Sequence, residues 1–242
     1  MLTIKNLSKT FAMHVGDEKQ IKCLESVNLT LEPGKALAII GPSGAGKSSL
    51  LKCVYGTYLV SSGNILYTAA DKTVYDLANA DLQTMRRLRK HEIGYVSQFF
   101  HVIPRVAAID VLSEPLINLG EGRTAARERA QTLLEMVGIP ENLWNMYPST
   151  FSGGEKQRLN IIYGIITKPR LVLLDEPTAS LDPESKARVL DLIVELKKQN
   201  SMILGAFHDF AAMKTVADQS YHIVTNKLKS IAIPKTVSVA AS

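Results

Sequence analysis

Residues 41 to 48 read Gly41-Pro42-Ser43-Gly44-Ala45-Gly46-Lys47-Ser48. They match the pattern Gly-x4-Gly-Lys-Ser/Thr, which marks a loop that holds phosphate groups, at every fixed position. The apolar residues Ala36–Ile40 precede the loop and predict a strand that is buried on both faces. A helix is predicted to begin near Gly46, so the motif has the strand–loop–helix context that it requires.

The residue types of this loop suit a phosphate ligand. Glycines let backbone N–H groups turn inward around an anion, and the helix points its positive end at the same place. Lys47 is expected to contact the β and γ phosphates, and the Ser48 hydroxyl is expected to bind Mg2+. The alternative interpretation is a glycine-rich turn before an ordinary helix. The other predicted contacts are Gly41, Ser43, Gly44, Ala45, Gly46 and Ser49.

A second apolar segment, residues 171–174, is followed by Asp175 and Glu176. A carboxylate at the carboxyl end of a parallel strand projects into the crevice where α/β folds bind ligands. Asp175 is therefore predicted to hold Mg2+, and Glu176 to orient or deprotonate an attacking water. Because carboxylates often end strands, this pair alone is weak evidence for a catalytic site. The phosphate loop in the same chain is what makes the functional interpretation the better one.

The remaining pattern predicts an α/β fold. A third buried strand is expected at residues 202–207, and strands that alternate with helices favour a largely parallel sheet. Residues 2–7 and 27–31 alternate as strands, with a hairpin loop expected at residues 13–20. The segment from 107 to 144 has helical periodicity and predicts an inserted helical subdomain. Its apolar stripe is Leu133, Leu134, Met136 and Val137.

Length and composition limit the possible functions. The 242 residues fit one large domain or two small ones, and no linker divides them. The net charge of +5 does not by itself indicate a nucleic-acid partner. Apolar stretches fall short of the ~20 residues of a membrane helix, and we expect no signal peptide. Cys23 and Cys53 lack metal-like spacing and suit a reducing cytoplasm, and residues 231–242 are expected to form a loosely packed tail.

A second anion site is predicted at Phe151-Ser152-Gly153-Gly154-Glu155. Residues 152–154 precede an apolar helical pattern, so they provide a second helix N-terminus for an anion. One γ-phosphate does not need two anion-binding helix N-termini from a single chain. The sequence therefore predicts that one phosphate is held between two subunits.

This motif resembles the signature Leu-Ser-Gly-Gly-Gln of the ATP-binding cassette (ABC) ATPases, with phenylalanine and glutamate at its two ends. The resemblance covers the whole chain and implies ATP, Mg2+ and an ATP-dependent dimer, homomeric or heteromeric. It implies one nucleotide-binding domain with a phosphate-loop NTPase (RecA-like) core at about 1–98 and 166–232. An N-terminal antiparallel β subdomain and a helical insert at about 99–165, which carries the signature, complete the expected fold.

Four further site residues follow from the resemblance. Gln98 matches the hinge glutamine that senses Mg2+ and the attacking water, and His208 matches the switch histidine that contacts the γ-phosphate. Asp182 matches the loop that contacts the other subunit, and Phe11 matches the aromatic that stacks on adenine. The alternatives are solvated loop residues for the first three and a core residue for Phe11.

Within the family, residues 54–59, 97–106 and 147–151 look like the L-subunit ATPases of the bacterial phosphonate carbon–phosphorus lyase system. This implies a cytoplasmic ATPase that acts with other lyase subunits, including a sister ABC ATPase. Its expected role is alkylphosphonate utilisation with triphosphoribosyl phosphonate formation, including an accessory part in making ribose-1-methylphosphonate 5-triphosphate.

The alternative function is the motor subunit of a membrane transporter of the lipoprotein-release or macrolide-export type. Those ATPases share part of the same pattern, including a proline a few residues past the hinge glutamine. Tyr163 stands where many family members have arginine, so contacts of that arginine are not carried over. DNA-repair and translation ATPases fit poorly, because the chain has a single phosphate loop and no room for long coiled coils.

Overall fold

The computed structural model describes residues 1–13, 19–100, 104–224 and 226–231. Most of the predicted hairpin loop, residues 101–103 of the segment 97–106 and the predicted tail beyond residue 231 lie outside the described residues.

The described residues form ten strands and eight α-helices, with a 3-10 turn at Pro148–Thr150. The strands are β1 Leu2–Met13, β2 Lys19–Leu31, β3 Ala36–Ile40, β4 Ser62–Thr68, β5 Val74–Asp76, β6 Ile93–Val96, β7 Leu171–Asp175, β8 Met202–Ala206, β9 Gln219–Val224 and β10 Lys227–Ile231. The helices are α1 Lys47–Val54, α2 Leu82–His91, α3 Ala108–Asn118, α4 Arg123–Met136, α5 Glu141–Trp144, α6 Gly153–Ile165, α7 Pro183–Lys198 and α8 Phe210–Val216.

The larger sheet has the strand order β10-β9-β3-β8-β7-β6. The strands from β9 to β6 run parallel, and β10 is antiparallel to β9. The predicted strand at residues 36–40 is confirmed as β3, and the other two buried strands are confirmed within one residue. All the parallel strands therefore present their carboxyl ends at one edge of the sheet.

This sheet is covered on both faces, which explains its continuous apolar strands. Ala36 and Ala38 belong to a core shared with α6 and α7. Leu37 and Ile39 point to the opposite face, into a core shared with α1 and the N-terminal strands. All four residues are at most 1% exposed, so the sheet is a rigid support for the loops at its edge.

The smaller sheet is the expected N-terminal antiparallel subdomain, with the order β2-β1-β4-β5. Its first hairpin is longer than predicted: Met13 pairs with Lys19 and Ala12 with Gln20. The prediction of a loop over all of residues 13–20 was therefore wrong at both ends, because the backbone pairing continues into the polar sequence.

Helices α3 to α6 form the inserted helical region. Leu134 and Val137 of the predicted stripe are fully buried, but Met136 is 48% exposed, so its assignment to the buried stripe was wrong. Met136 ends α4, two positions from Leu134, and neighbours two apart on a helix face different directions. Arg158 donates to the carbonyls of Val137 and Gly138 and joins α4 to α6.

Within the described ranges, the structure contains no helix with both the length and the apolar character needed to cross a bilayer.

Candidate active site

The phosphate loop joins β3 to α1 and depends on glycine at its last turn. Gly46 has φ of +104° and is the N-cap of α1. A β-carbon at Gly46 would lie 2.9 Å from the carbonyl oxygen of Cys23, so a side chain does not fit there. Backbone conformation and packing therefore both require glycine at this position.

Lys47 is held inside the loop. Its Nζ donates to the carbonyl oxygens of Gly41 at 2.8 Å and Pro42 at 2.9 Å, and the residue is 4% exposed. Burial lowers the pKa of Lys47, while the carboxylates of Glu176 and Asp175 act in the opposite direction. The loop thus contains a confined cation that a phosphate can pair with directly.

Asp175 lies at the end of β7 and is 2% exposed. Its Oδ1 accepts a hydrogen bond from Ser48 Oγ at 2.8 Å, and its Oδ2 accepts one from the Tyr95 hydroxyl at 3.2 Å. The structure therefore brings together two of the three predicted metal residues, Ser48 and Asp175, while the third, Gln98, contacts Glu176. The oxygen atoms of Ser48 and Asp175, one hydroxyl and one carboxylate, are suitable ligands for Mg2+, which proteins bind through few of their own oxygens together with substrate phosphates.

Glu176 follows β7 with an unusual backbone, φ +54°, and donates its N–H to the carbonyl of Ala206. Its Oε1 lies 2.8 Å from His208 Nε2, and its Oε2 accepts from Gln98 Nε2 at 3.4 Å. All three predicted catalytic residues therefore meet. The register of the sheet explains this meeting, because Asp175 of β7 pairs with Ala206 of β8.

A cavity of about 240 Å3 opens between the phosphate loop, Gln98 and Glu176. It brings predicted phosphate and catalytic residues to one space. The predicted site residues that are not part of its lining are Phe11, Gly41, Ala45, Ser152, Gly153, Gly154, Asp175, Asp182 and His208. Its lining residues are Ser43, Gly44, Gly46, Lys47, Ser48, Ser49, Gln98 and Glu176.

Phe11 lies near the end of β1 and is only partly buried, which argues against the alternative of a core residue. Its ring meets Tyr58 edge-on at a centroid distance of 5.3 Å. Lys9 Nζ lies 4.6 Å from the centroid of the Phe11 ring. The role of Phe11 as the adenine contact stays a prediction.

The signature motif forms the start of α6. The Ser152 hydroxyl accepts from the Glu155 N–H at 3.3 Å, and the Glu155 carboxylate accepts from the Ser152 N–H at 2.7 Å, which is a capping box. Gly153 and Gly154 are the first residues of the helix, so the expectation that they precede it was wrong. The serine takes the cap because its hydroxyl satisfies a free N–H.

The two glycines at this helix start have different surroundings. A β-carbon at Gly153 would meet none of the described residues within 4 Å, whereas one at Gly154 would lie 3.4 Å from the carbonyl oxygen of Ser180. Asp182, in the neighbouring loop, caps α7 by accepting from the Ser185 N–H at 3.0 Å, and hydrogen bonds from Ser185 lower its pKa. The signature and the predicted cross-subunit loop are therefore neighbours on one surface.

Sequence reasoning missed three polar residues at this site. Gln157 Nε2 donates to the carbonyl of Pro177 at 3.1 Å and ties α6 to the loop after β7. Asn160 Nδ2 donates to the carbonyl of Ser97 at 2.6 Å, beside Gln98. Tyr95 contacts Asp175 as described above. A signal was available, because Gln157 and Asn160 interrupt an otherwise apolar helix face.

Comparison with known proteins identifies relatives of this chain. The ABC transporter family pattern matches residues 24–179. The glutamine transport ATP-binding protein GlnQ of Bacillus subtilis (strain 168) is 35% identical over 97% of this chain and 91% of its own length. The lipoprotein-releasing system ATP-binding protein LolD of Shewanella oneidensis is 37% identical over 82% of this chain and 83% of its own length.

A solved structure has the same fold. The ATP-binding cassette MJ0796, in a dimeric post-hydrolysis state bound to ADP and Pi, matches with a TM-score of 0.86 and 26% identity. The match covers 96% of this chain and 98% of MJ0796.

Proposed function

We propose that this chain, which belongs to the ABC transporter family of ATPases, hydrolyses ATP at the phosphate loop as half of a nucleotide-bridged dimer. The observation that carries the proposal is the cavity where Lys47, Ser48 and Glu176 surround one space. Lys47 binds the β and γ phosphates, Glu176 orients or deprotonates the attacking water, and Gln98 and His208 hold the Glu176 carboxylate.

The residues present fit a magnesium ion. Ser48 and Asp175 would hold it with their oxygen atoms, with Gln98 nearby on Glu176. When bound, Mg2+ neutralises charge on the β and γ phosphates. The protein supplies only part of the coordination shell, as is usual for this ion.

The second half of the nucleotide site would come from another subunit. Ser152 caps the signature helix, and Gly153 and Gly154 begin it, outside the cavity formed by the chain's own phosphate loop. The dimer state of MJ0796 supports this arrangement. Phe11 is proposed to stack on adenine, and Asp182 to contact the partner next to its signature helix.

The finer proposal is that the chain is the cytoplasmic ATPase subunit of a phosphonate carbon–phosphorus lyase complex. The support is the resemblance of residues 54–59, 97–106 and 147–151 to that subunit. Its partners would be the other lyase subunits and a sister ABC ATPase.

A second candidate is the motor of a membrane transporter. GlnQ and LolD, named for glutamine transport and lipoprotein release, favour it. Phe99, which is 72% exposed, lies in the segment that would then receive a helix of the membrane subunit.

A tagged chain purified from cells without detergent, with its partners identified by mass spectrometry, separates the two candidates. The lyase-subunit proposal predicts a stable complex in the cytosolic fraction that contains the other lyase subunits. Recovery only from detergent-solubilised membranes, together with integral membrane subunits, would contradict it and support the transporter motor.

A further inference from the structure

Tyr95 connects the metal-holding carboxylate to the outer surface of the protein. It lies in β6, directly beside β7, with Tyr95 paired to Leu173. From there its hydroxyl reaches Oδ2 of Asp175 at 3.2 Å, while Ser48 bonds Oδ1 at 2.8 Å. Each carboxylate oxygen of Asp175 therefore accepts a hydrogen bond from a different side chain.

The Tyr95 hydroxyl is the donor in this contact, because a carboxylate oxygen of Asp175 can only accept. The hydrogen bond to a charged acceptor is stronger than one between neutral groups. Such a contact favours one orientation of the Asp175 carboxylate over others.

The Tyr95 ring is held from the other side by an aromatic stack. Tyr55 stacks on it with centroids 4.9 Å apart and planes at 30°. The Arg89 guanidinium lies 4.5 Å from the Tyr55 ring centroid and donates to the Tyr55 carbonyl at 2.9 and 2.7 Å. Arg89, Tyr55 and Tyr95 therefore form a continuous contact path that ends at Asp175.

The same three side chains line an open cleft of about 540 Å3, which we call the aromatic cleft. Glu114 of α3 and Tyr163 of α6 form its opposite wall. The cleft therefore lies between β6, α2 and the end of α1 on one side and the inserted helices on the other.

We propose that Tyr95 is a positioning residue of the ATPase site: its hydroxyl orients Asp175 for the metal, and the Tyr55–Arg89 stack holds the Tyr95 ring in place for that contact. The proposal rests on the proposed ATPase function. It adds a residue that affects metal binding by way of Asp175.

The test is the Mg2+ dependence of ATP binding in Tyr95→Phe, measured by calorimetry rather than by turnover. The variant keeps the stacked ring and removes only the hydroxyl. We expect the half-saturating Mg2+ concentration to rise by about 5- to 10-fold, which is less than the ~10-fold or larger effect of losing a charged hydrogen bond outright, because the Tyr95–Asp175 contact also exists without the ion. ATP affinity without Mg2+ should stay within about twofold of wild type, because the phosphate loop is unchanged.

Tyr163→Phe is the matched control, because it removes a hydroxyl from the same cleft away from Asp175. It should leave the Mg2+ dependence unchanged. An unchanged dependence in Tyr95→Phe, or an equal shift in Tyr163→Phe, would overturn the proposal. Wild type that binds no ATP would instead overturn the proposed function, so the two failures are distinguishable.

Tyr55→Leu tests separately whether the stack supports Tyr95, and it also serves if Tyr95→Phe fails to fold. It removes the stacked ring and keeps the Tyr95 hydroxyl. A smaller shift of the Mg2+ dependence in the same direction is expected. Wild-type behaviour of Tyr55→Leu would show that the stack does not support Asp175.

Discussion

His208 Nε2 lies 2.8 Å from Oε1 of Glu176. The two residues follow adjacent strands, β7 and β8, whose paired ends bring them together. The Glu176 side chain is only 17% exposed, so burial and this contact together restrain its carboxylate. This contact gives the proposed base a fixed position beside the phosphate loop.

Glu176→Gln should bind ATP and fail to hydrolyse it. The amide keeps the shape and the hydrogen-bonding reach of the side chain but cannot accept a proton, and loss of a general base slows turnover at least ~100-fold. With hydrolysis blocked, ATP–Mg2+ should double the mass seen by light scattering. Near-normal turnover would show that another group activates the water.

Lys47→Ala should lose tight ATP binding. Lys47 is the confined cation of the loop, and each charged hydrogen bond that it gives to phosphate contributes ~1.5–3 kcal/mol. Isothermal titration calorimetry measures the change, with Lys52→Ala on the same helix as the control. Wild-type affinity in Lys47→Ala would mean that the phosphate loop is not the nucleotide site.

Cys53 should react slowly with maleimide in the folded protein. It is 1% exposed, and burial raises its pKa to about 11, so little thiolate is present near pH 8. Its labelling rate should therefore increase as pH rises toward 11, whereas half-buried Cys23 is sterically more accessible. Mass spectrometry of labelled peptides follows both, and equal rates at pH 8 in folded protein would contradict this prediction.

Much of the site could be predicted because its chemistry depends on short local motifs. The phosphate loop and Asp175–Glu176 each follow an apolar strand that the sequence displays directly, and the fold places them at one sheet edge. Gln98 and His208 needed the family resemblance, because a single glutamine or histidine after a strand has no local signature. Their convergence on Glu176 is a property of strand order.

Other features depend on tertiary contacts that periodicity does not contain. Tyr95 in a buried strand resembles an ordinary core aromatic until its hydroxyl is seen on Asp175. The exposure of Met136 depends on where α4 ends, and element ends are the least predictable feature of a sequence. The hairpin of Met13 and Lys19 is longer than its polar sequence indicates, because backbone pairing does not require apolar side chains.

The central claim is that the signature helix of one chain completes the ATP site of another, and Gly154→Asp tests it most directly. The aspartate adds a carboxylate at the helix start that a partner's γ-phosphate must approach, while the chain's own phosphate loop is untouched. Its β-carbon would lie 3.4 Å from the carbonyl oxygen of Ser180, which is ordinary contact. Gly154→Ala, which adds the same β-carbon without the carboxylate, is the control for bulk without charge.

The measurement is the ATP affinity of Gly154→Asp by calorimetry, at a protein concentration where the chain is monomeric. We predict an affinity within about twofold of wild type, although turnover and ATP-dependent crosslinking are lost. A loss of affinity as large as that of Lys47→Ala would put Ser152–Gly154 in the same chain's nucleotide site and contradict the shared-site account.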